Sequence, residues 1–244
     1  MNYKLKWADL FLKDGKPDET IWNIENAGYG FGNNENQFYT NHLKNAYIKD
    51  GILNIVAYKE SHEHRDYTSA KLTTLHKKSI KYGRVEVMAK LPEGLGTWPA
   101  IWFLGENMSS VGWPLCGEID LMEHVGKNPK HIHFSLHSKS YNFHKHNQPT
   151  KVVQQDNLFE GFHEYAMNWD EHEISFELDQ VKVATFTKKE NDTVLEWPFD
   201  ENMYLILNLA IGGNWGGAID DSIFPVSIQF KYVKVYERDV NGID

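Results

Sequence analysis

Cysteine is nearly absent from this chain of 244 residues, which contains Cys116 alone. A single cysteine excludes an intramolecular disulfide, so oxidative cross-linking contributes nothing to the stability of the fold. Linker-like stretches rich in proline, glycine or serine are also missing, and no internal repeat is visible. We therefore expect residues 1–244 to form one domain with a full hydrophobic core.

Basic charge and long apolar runs are scarce as well. Lysine and arginine number 25 against 34 aspartates and glutamates, which gives a formal net charge of −9, and the basic residues are scattered. Because phosphate binding needs a basic stripe, the composition argues against a nucleic-acid partner. No apolar run approaches a membrane span, so we expect no membrane partner. The first 20 residues lack the apolar segment of a secretory signal, which leaves an intracellular protein and a secreted one with its signal removed both open.

Aromatic residues, in contrast, are plentiful. They make up 14% of the chain and include 8 tryptophans and 12 tyrosines. This is more than a core alone usually needs, and rings that stack on sugars would account for part of the excess. The composition therefore favours a neutral partner over a charged one.

Alternation of apolar and polar residues predicts β-strands along most of the chain. Apolar residues recur at every second position in residues 53–57, 83–91 and 173–179, as expected of strands with one face on a core. Glycine-containing turn signals separate such runs, and no strong amphipathic helix with caps is evident. Many short antiparallel strands in one domain predict an all-β fold, a sandwich or β-jelly-roll of two antiparallel sheets.

Three acidic residues crowd into the otherwise apolar stretch CGEIDLMEHVG. On a regular strand Glu118 and Asp120 share a face, whereas Glu123 points the other way. A β-bulge around Leu121 and Met122 would bring all three carboxylates to one side, and bulges occur preferentially beside active sites. The pattern therefore predicts a bulged strand that carries a catalytic site.

The spacing of the two glutamates indicates a reaction class. With the bulge, the α-carbons of Glu118 and Glu123 lie roughly 13 Å apart at roughly 3.3 Å per residue, and the leaning side chains leave a carboxyl separation on the order of 5 Å, as in retaining glycosidases. One glutamate would attack as a carboxylate and the other would donate a proton, with Asp120 adjusting both. A solvated acidic strand or a divalent-metal site is the alternative, which the apolar residues between the acids disfavour.

The same region carries a family resemblance. GEIDLMEHVG, preceded by YGRVEVMAKLPEGLGTWPAIWFLG, resembles the signature region of family 16 glycoside hydrolases, and its E-x-D-x-x-E spacing resembles the laminarinase-type branch. Further similar segments follow in order: GNNENQFYT, YTSAKL, FHEYAMNWD, LNLAIGGNWGG and YVKVYE. The resemblance implies a concanavalin-like β-jelly-roll with a concave substrate cleft.

The resemblance also implies a function. It indicates a retaining endo-β-1,3-glucanase that hydrolyses laminarin-type β-glucan polysaccharide or oligosaccharide. Separately, we expect a monomer. A mixed-linkage β-1,3-1,4-glucanase is the nearest alternative, since the bulged motif does not fix the linkage, and agar- or carrageenan-type cleavage shares the scaffold. A glycan transferase and a non-catalytic glucan-binding module are further alternatives.

Functional residues are implied position by position. The resemblance assigns Glu118 as nucleophile, Asp120 as its assisting acid and Glu123 as general acid/base, and it places His137 beside them. A lone histidine is more often a structural hydrogen-bonding group, and large aromatics more often serve the core. The implied sugar contacts are Trp98, Trp102, Trp113, Asn33, Arg65 and Trp215.

We expect no metal and no cofactor. Many family members bind a structural calcium through a glutamate in an A-D-E-F-like segment and an aspartate in a V-D-Y-V-R-V-Y-like closing strand. This chain has Leu10 and Lys231 there, and calcium requires oxygen ligands. His144 and His146 could ligate zinc, but without a cysteine pair or an HExxH motif a polar loop beside the cleft is the favoured interpretation.

Overall fold

The structure is a computed structural model that describes residues 2–239. Within that range the chain forms 18 strands, two one-turn α-helices and two short 3₁₀ turns, and no helix is long and apolar enough to cross a membrane. The strands are β1 (Tyr3–Asp9), β2 (Asn23–Ile24), β3 (Gln37–Tyr39), β4 (Ala46–Lys49), β5 (Ile52–His62), β6 (Arg65–Ser69), β7 (Lys71–Thr73), β8 (Ser79–Ile80), β9 (Gly83–Lys90), β10 (Thr97–Gly105), β11 (Glu118–Glu123), β12 (His131–His137), β13 (Thr150–Gln154), β14 (His163–Trp169), β15 (Glu173–Leu178), β16 (Val181–Thr187), β17 (Met203–Ile211) and β18 (Val226–Arg238). The helices are α1 (Met108–Val111) and α2 (Gly213–Gly216), and the 3₁₀ turns are Phe143–Lys145 and Asp221–Ile223.

These strands build two sheets. The ten-stranded sheet has the order β16-β15-β14-β9-β18-β5-β6-β3, with β1 on β18 and β4 on β5. The eight-stranded sheet has the order β13-β12-β11-β10-β17-β7-β2, with β8 on β17. Every pair of neighbouring strands in this order is antiparallel except β3 and β6, which run parallel. The predicted all-β sandwich is confirmed.

Alternation sets which side chains enter the core between the sheets. Val85, Val87 and Ala89 of β9 are fully buried, and their polar neighbours face outward, as the sequence predicts. β17 is different, because all nine of its residues are buried. One face of β17 packs in the core, and Asn208 and Ala210 on its other face line a cleft over the eight-stranded sheet.

Candidate active site

A β-bulge interrupts β11 where the sequence predicts it. Ile101 of β10 pairs with Met122 and Trp102 pairs with Asp120, which leaves Leu121 as the extra residue. Leu121 and Met122 are both fully buried in the core. The acids on either side of the bulge therefore point together to the outer face of the sheet, and the predicted bulge is confirmed.

A cleft of about 390 Å³ lies over this outer face. Strands β10, β11 and β17 line it, together with the loop before β3. Trp113, Phe143 and His144 complete this part of the lining. The structure brings together seven of the residues predicted from sequence, namely Glu118, Asp120, Glu123, Trp98, Trp102, Trp113 and Asn33. A mostly apolar cleft with a few convergent polar groups is typical of a ligand site.

Two tryptophans hold the glutamates by their indole N–H groups. Trp113 Nε1 donates to Glu118 Oε2 over 2.8 Å, and Trp98 Nε1 donates to Glu123 Oε1 over 3.2 Å. Each ring is only partly buried, so part of it faces the cleft. These tryptophans therefore orient the carboxyls as well as lining the cleft.

A chain of hydrogen bonds extends the site beyond the residues that sequence reasoning identified. Trp102 Nε1 donates to Asn208 Oδ1 over 2.7 Å, and Asn208 Nδ2 donates to the Tyr39 hydroxyl over 3.0 Å. Buried Glu35 accepts from Gln37 Nε2 over 2.6 Å and from the Tyr39 hydroxyl over 3.4 Å. In the sequence NENQFYT, the polar residues Glu35, Gln37 and Tyr39 stand at every second position. This alternation could have indicated that they share one face.

Lys71 is a second functional candidate that the sequence analysis missed. It lies opposite Asn208 in the β7–β17 register and lines the cleft. Its Nζ lies 4.8 Å from the centroid of the Phe31 ring and 5.4 Å from that of Trp102. Burial lowers the pKa of this ammonium, whereas the nearby charge of Glu35 opposes that shift. No local sequence pattern indicates a cation at this point.

His137 lies directly beside the acids. It pairs with Glu118 across β11 and β12, and its Nε2 is 3.1 Å from Asp120 Oδ2 and 3.8 Å from Glu118 Oε1. These three side chains offer ligand atoms within 4.8 Å of one another and form the one candidate metal-binding group in residues 2–239. His144 and His146 do not belong to it.

Simultaneous ionisation of the three carboxyls is disfavoured. Burial raises the pKa of each, to about 8 for Glu118 and Asp120. The Asp120 charge raises the pKa of Glu118 further, while His137 and the Trp113 N–H oppose that rise. Glu123 has its pKa raised well above its ordinary value, first by burial and then by the charges of Asp120 and Glu118. Ionisation of Glu123 is therefore opposed both by burial and by the charges of the other two carboxyls.

Two predicted sugar contacts lie outside the cleft lining. Arg65 Nε donates to the Gly28 carbonyl over 2.7 Å, so the side chain holds the start of the loop that carries Asn33. Trp215 packs edge-to-face on Trp98 with ring centroids 5.4 Å apart, so it supports Trp98 from beside the cleft. For both residues the predicted sugar contact stays a prediction.

Known protein families provide an independent comparison with this geometry. The model of "Glycosyl hydrolases family 16" matches residues 31–230. The chain belongs to this family. Membership makes the chain a glycoside hydrolase, and the matched range contains the bulged strand and nearly the whole cleft.

Individual similar proteins are consistent with this family membership. A "Beta-glucanase" from Rhodothermus marinus is 41% identical over 245 residues, which cover 96% of this chain and 85% of that protein. A "Glucan endo-1,3-beta-glucosidase A1" from Niallia circulans is 34% identical over 269 residues, which cover 96% of this chain but 38% of that protein. The solved structure of the laminarinase from Rhodothermus marinus matches with a TM-score of 0.94 at 40% identity, covering 97% of this chain and 98% of that one.

Proposed function

We propose that this family 16 hydrolase is a retaining endo-β-1,3-glucanase that cleaves laminarin-type β-glucans. The observation that carries the proposal is the bulge at Leu121, which turns Glu118, Asp120 and Glu123 into one tryptophan-lined cleft. The names of the relatives, a laminarinase and a glucan endo-1,3-beta-glucosidase, support the β-1,3 linkage. The runner-up is a mixed-linkage glucanase.

Glu118 is the nucleophile in this proposal. As a carboxylate it attacks the anomeric carbon of the bound sugar, forming an ester while the bond to the leaving oxygen breaks. Two features suit it to this role. The Trp113 N–H holds one of its oxygens and lowers its pKa, and the Glu118 charge in turn raises the pKa of Glu123. The second feature favours a proton on Glu123 when Glu118 is ionised.

Glu123 is the general acid and then the general base. It gives its proton to the leaving oxygen, and later takes a proton from the water that hydrolyses the ester, so the anomeric configuration is retained. The Glu118 charge raises the pKa of Glu123. Because ester formation removes that charge, the pKa of Glu123 falls after the first step, which prepares it to act as a base.

Asp120 and His137 position the nucleophile. Asp120 lies between the glutamates on the strand, and its charge raises the pKa of Glu118. His137 Nε2, at 3.1 Å from Asp120, sets the orientation of that carboxyl. The Trp98, Trp102 and neighbouring ring faces provide apolar surfaces for sugar rings, and the amide of Asn33 is available to sugar hydroxyls.

The experiment that tests the proposed function compares reducing-sugar release from laminarin, mixed-linkage barley glucan and agarose. We expect the fastest release from laminarin, with the β-anomer as the first product by NMR. Release from the mixed-linkage glucan alone would support the runner-up. Binding of laminarin without release would indicate a glucan-binding module, and longer oligosaccharides from a short donor would indicate a transferase.

We further propose that the enzyme binds no structural calcium. Leu10 provides no side-chain oxygen, and the Lys231 ammonium lies 4.3 Å from the centroid of the Phe162 ring. The neighbouring Asp9 carboxylate already accepts from Phe11 N and Trp22 Nε1, each over 2.9 Å. A chelator is therefore expected to leave Tm and activity unchanged. Stoichiometric calcium in metal analysis, or a Tm that rises with added calcium, would contradict this proposal.

A further inference from the structure

A second cavity, of about 280 Å³, lies at one edge of the sandwich. It is bordered by the end of β12, the end of β16, and the two segments 138–149 and 189–199. It shares no lining residue with the catalytic cleft in the part of the chain that the structure describes. The proposed function makes no use of it.

The cavity combines aromatic walls with a polar rim. The partly exposed residues Phe186 and Tyr141 provide ring surface to the cavity. Behind them Trp197 and Phe199 are nearly fully buried, with ring centroids 5.0 Å apart and planes at 90°. Hydroxyl and amide side chains, including Thr187, complete the lining. A pyranose ring has an apolar C–H face and a hydroxyl edge, and aromatic surfaces next to hydrogen-bonding groups match that pattern.

The Trp197 indole N–H is an unused donor in this cavity wall. Its Nε1 is buried and has no hydrogen-bond partner among residues 2–239. Buried donors are normally paired with protein or ligand acceptors. A ligand hydroxyl oxygen that reaches this buried N–H would provide the missing acceptor.

The rim is preformed and favours a neutral ligand. Asp192 Oδ2 accepts from the Lys189 N–H over 2.8 Å, and Glu196 accepts from Ser140 Oγ over 2.6 Å and from Thr193 Oγ1 over 2.7 Å. These bonds fix both carboxylates before any ligand arrives. Two fixed carboxylates disfavour an anion, which leaves a neutral ligand as the simplest fit.

We propose that this cavity is a second carbohydrate site that binds one glucosyl unit of a β-glucan chain. Its volume lies just below the roughly 300–1,000 Å³ of drug-sized pockets, which suits a single sugar ring. The fit to a neutral pyranose rests on the cavity, whereas the choice of glucose rests on the proposed function. Segment 138–149 also supplies Phe143 and His144 to the cleft, so an anchored chain is held one loop away from the catalytic carboxyls.

An NMR titration of the Glu118→Gln variant with a β-1,3-linked glucotriose tests this proposal without cleavage of the probe. The backbone amides of Phe186 and Lys189 report on the cavity, and the indole N–H of Trp102 reports on the cleft. We expect both sets of signals to shift, each with its own saturation curve. Adding Trp197→Phe removes one hydrogen bond and is expected to weaken cavity binding about threefold to tenfold, with the midpoint of the cleft curve unchanged.

Two further variants keep the test decisive. Thr187→Val removes a rim hydroxyl from an exposed position, so it serves if the buried Trp197 substitution impairs folding, and it is expected to weaken cavity binding as well. Val194→Ser, at an exposed site of the same loop outside the lining, is the matched control and should leave both curves intact. Silent cavity amides at a concentration that saturates the cleft would overturn the second site. Responding cavity amides in an enzyme that fails to cleave laminarin would refute the proposed function alone.

Discussion

Replacing Glu118 with glutamine is expected to lower kcat on laminarin by roughly 10⁴-fold or more, because the amide cannot form the glycosyl ester. Glutamine has nearly the same volume, and its carbonyl oxygen can still accept the Trp113 N–H that bonds Glu118 at 2.8 Å. The fold and the binding of laminarin should therefore persist. Steady-state kinetics, with circular dichroism and laminarin binding measured in parallel, check the prediction.

Glu35→Gln provides the matched control, since Glu35 is a buried carboxyl of the same cleft that lies outside the catalytic strand. Its loss is expected to raise KM far more than it lowers kcat. If Glu118→Gln retained more than about one per cent of wild-type kcat, a rate loss far below that of a missing nucleophile, the assignment of Glu118 would be wrong.

The same variant has an expected effect on stability. Burial raises the pKa of Glu118 to about 8 in the folded protein from an ordinary value of 4.5. The folded wild type therefore binds this proton more tightly than the unfolded chain, and stability is lost as pH rises through that window. Glutamine has no proton to lose, so the Tm of the variant relative to wild type should increase between these pH values.

The strand that carries the site could be predicted from sequence because its signals are local. Glu118, Asp120 and Glu123 lie within six positions. Strict alternation along a strand would place Glu123 on the opposite face from the other two, so one extra residue is needed to bring all three to one side. The extra residue is tolerated because Leu121 and Met122 are both apolar, and burying both side chains in the core is favourable. The placement of Trp98 and Trp102 on one face of β10 was predictable for the same reason, since they are four residues apart.

The rest of the cleft depends on register between distant strands. Asn208 lies opposite Ala100 on one side and Lys71 on the other, and a pairing of that kind has no trace in either segment alone. Arg65 depends on distant pairing as well. Its Nε donates to the Gly28 carbonyl, a contact that neither segment indicates alone, and its implied sugar contact stays a prediction. The expected carboxyl separation of the two glutamates stays a prediction.

Replacing Glu123 with glutamine separates the two chemical steps. The loss of the general acid is expected to lower kcat on laminarin by about 10²- to 10⁴-fold. An aryl β-glucoside with an acidic phenol as leaving group needs no proton, so its first step should stay close to the wild-type rate. Pre-steady-state measurement of phenol release alongside laminarin hydrolysis tests this contrast.

The pH profile identifies the acid independently. Because Glu123 must be protonated, wild-type kcat/KM should fall on the alkaline side as it ionises, at a pH well above its ordinary pKa. Glu123→Gln should remove that alkaline limb. In the matched control Trp98→Phe, the N–H that lowers the pKa of Glu123 is absent, so the limb should move to higher pH. The assignment would be wrong if the alkaline limb persisted in Glu123→Gln and the rate fell equally on laminarin and the aryl glucoside. The proton donor would then be another group, and Asp120 is the nearest candidate along the strand.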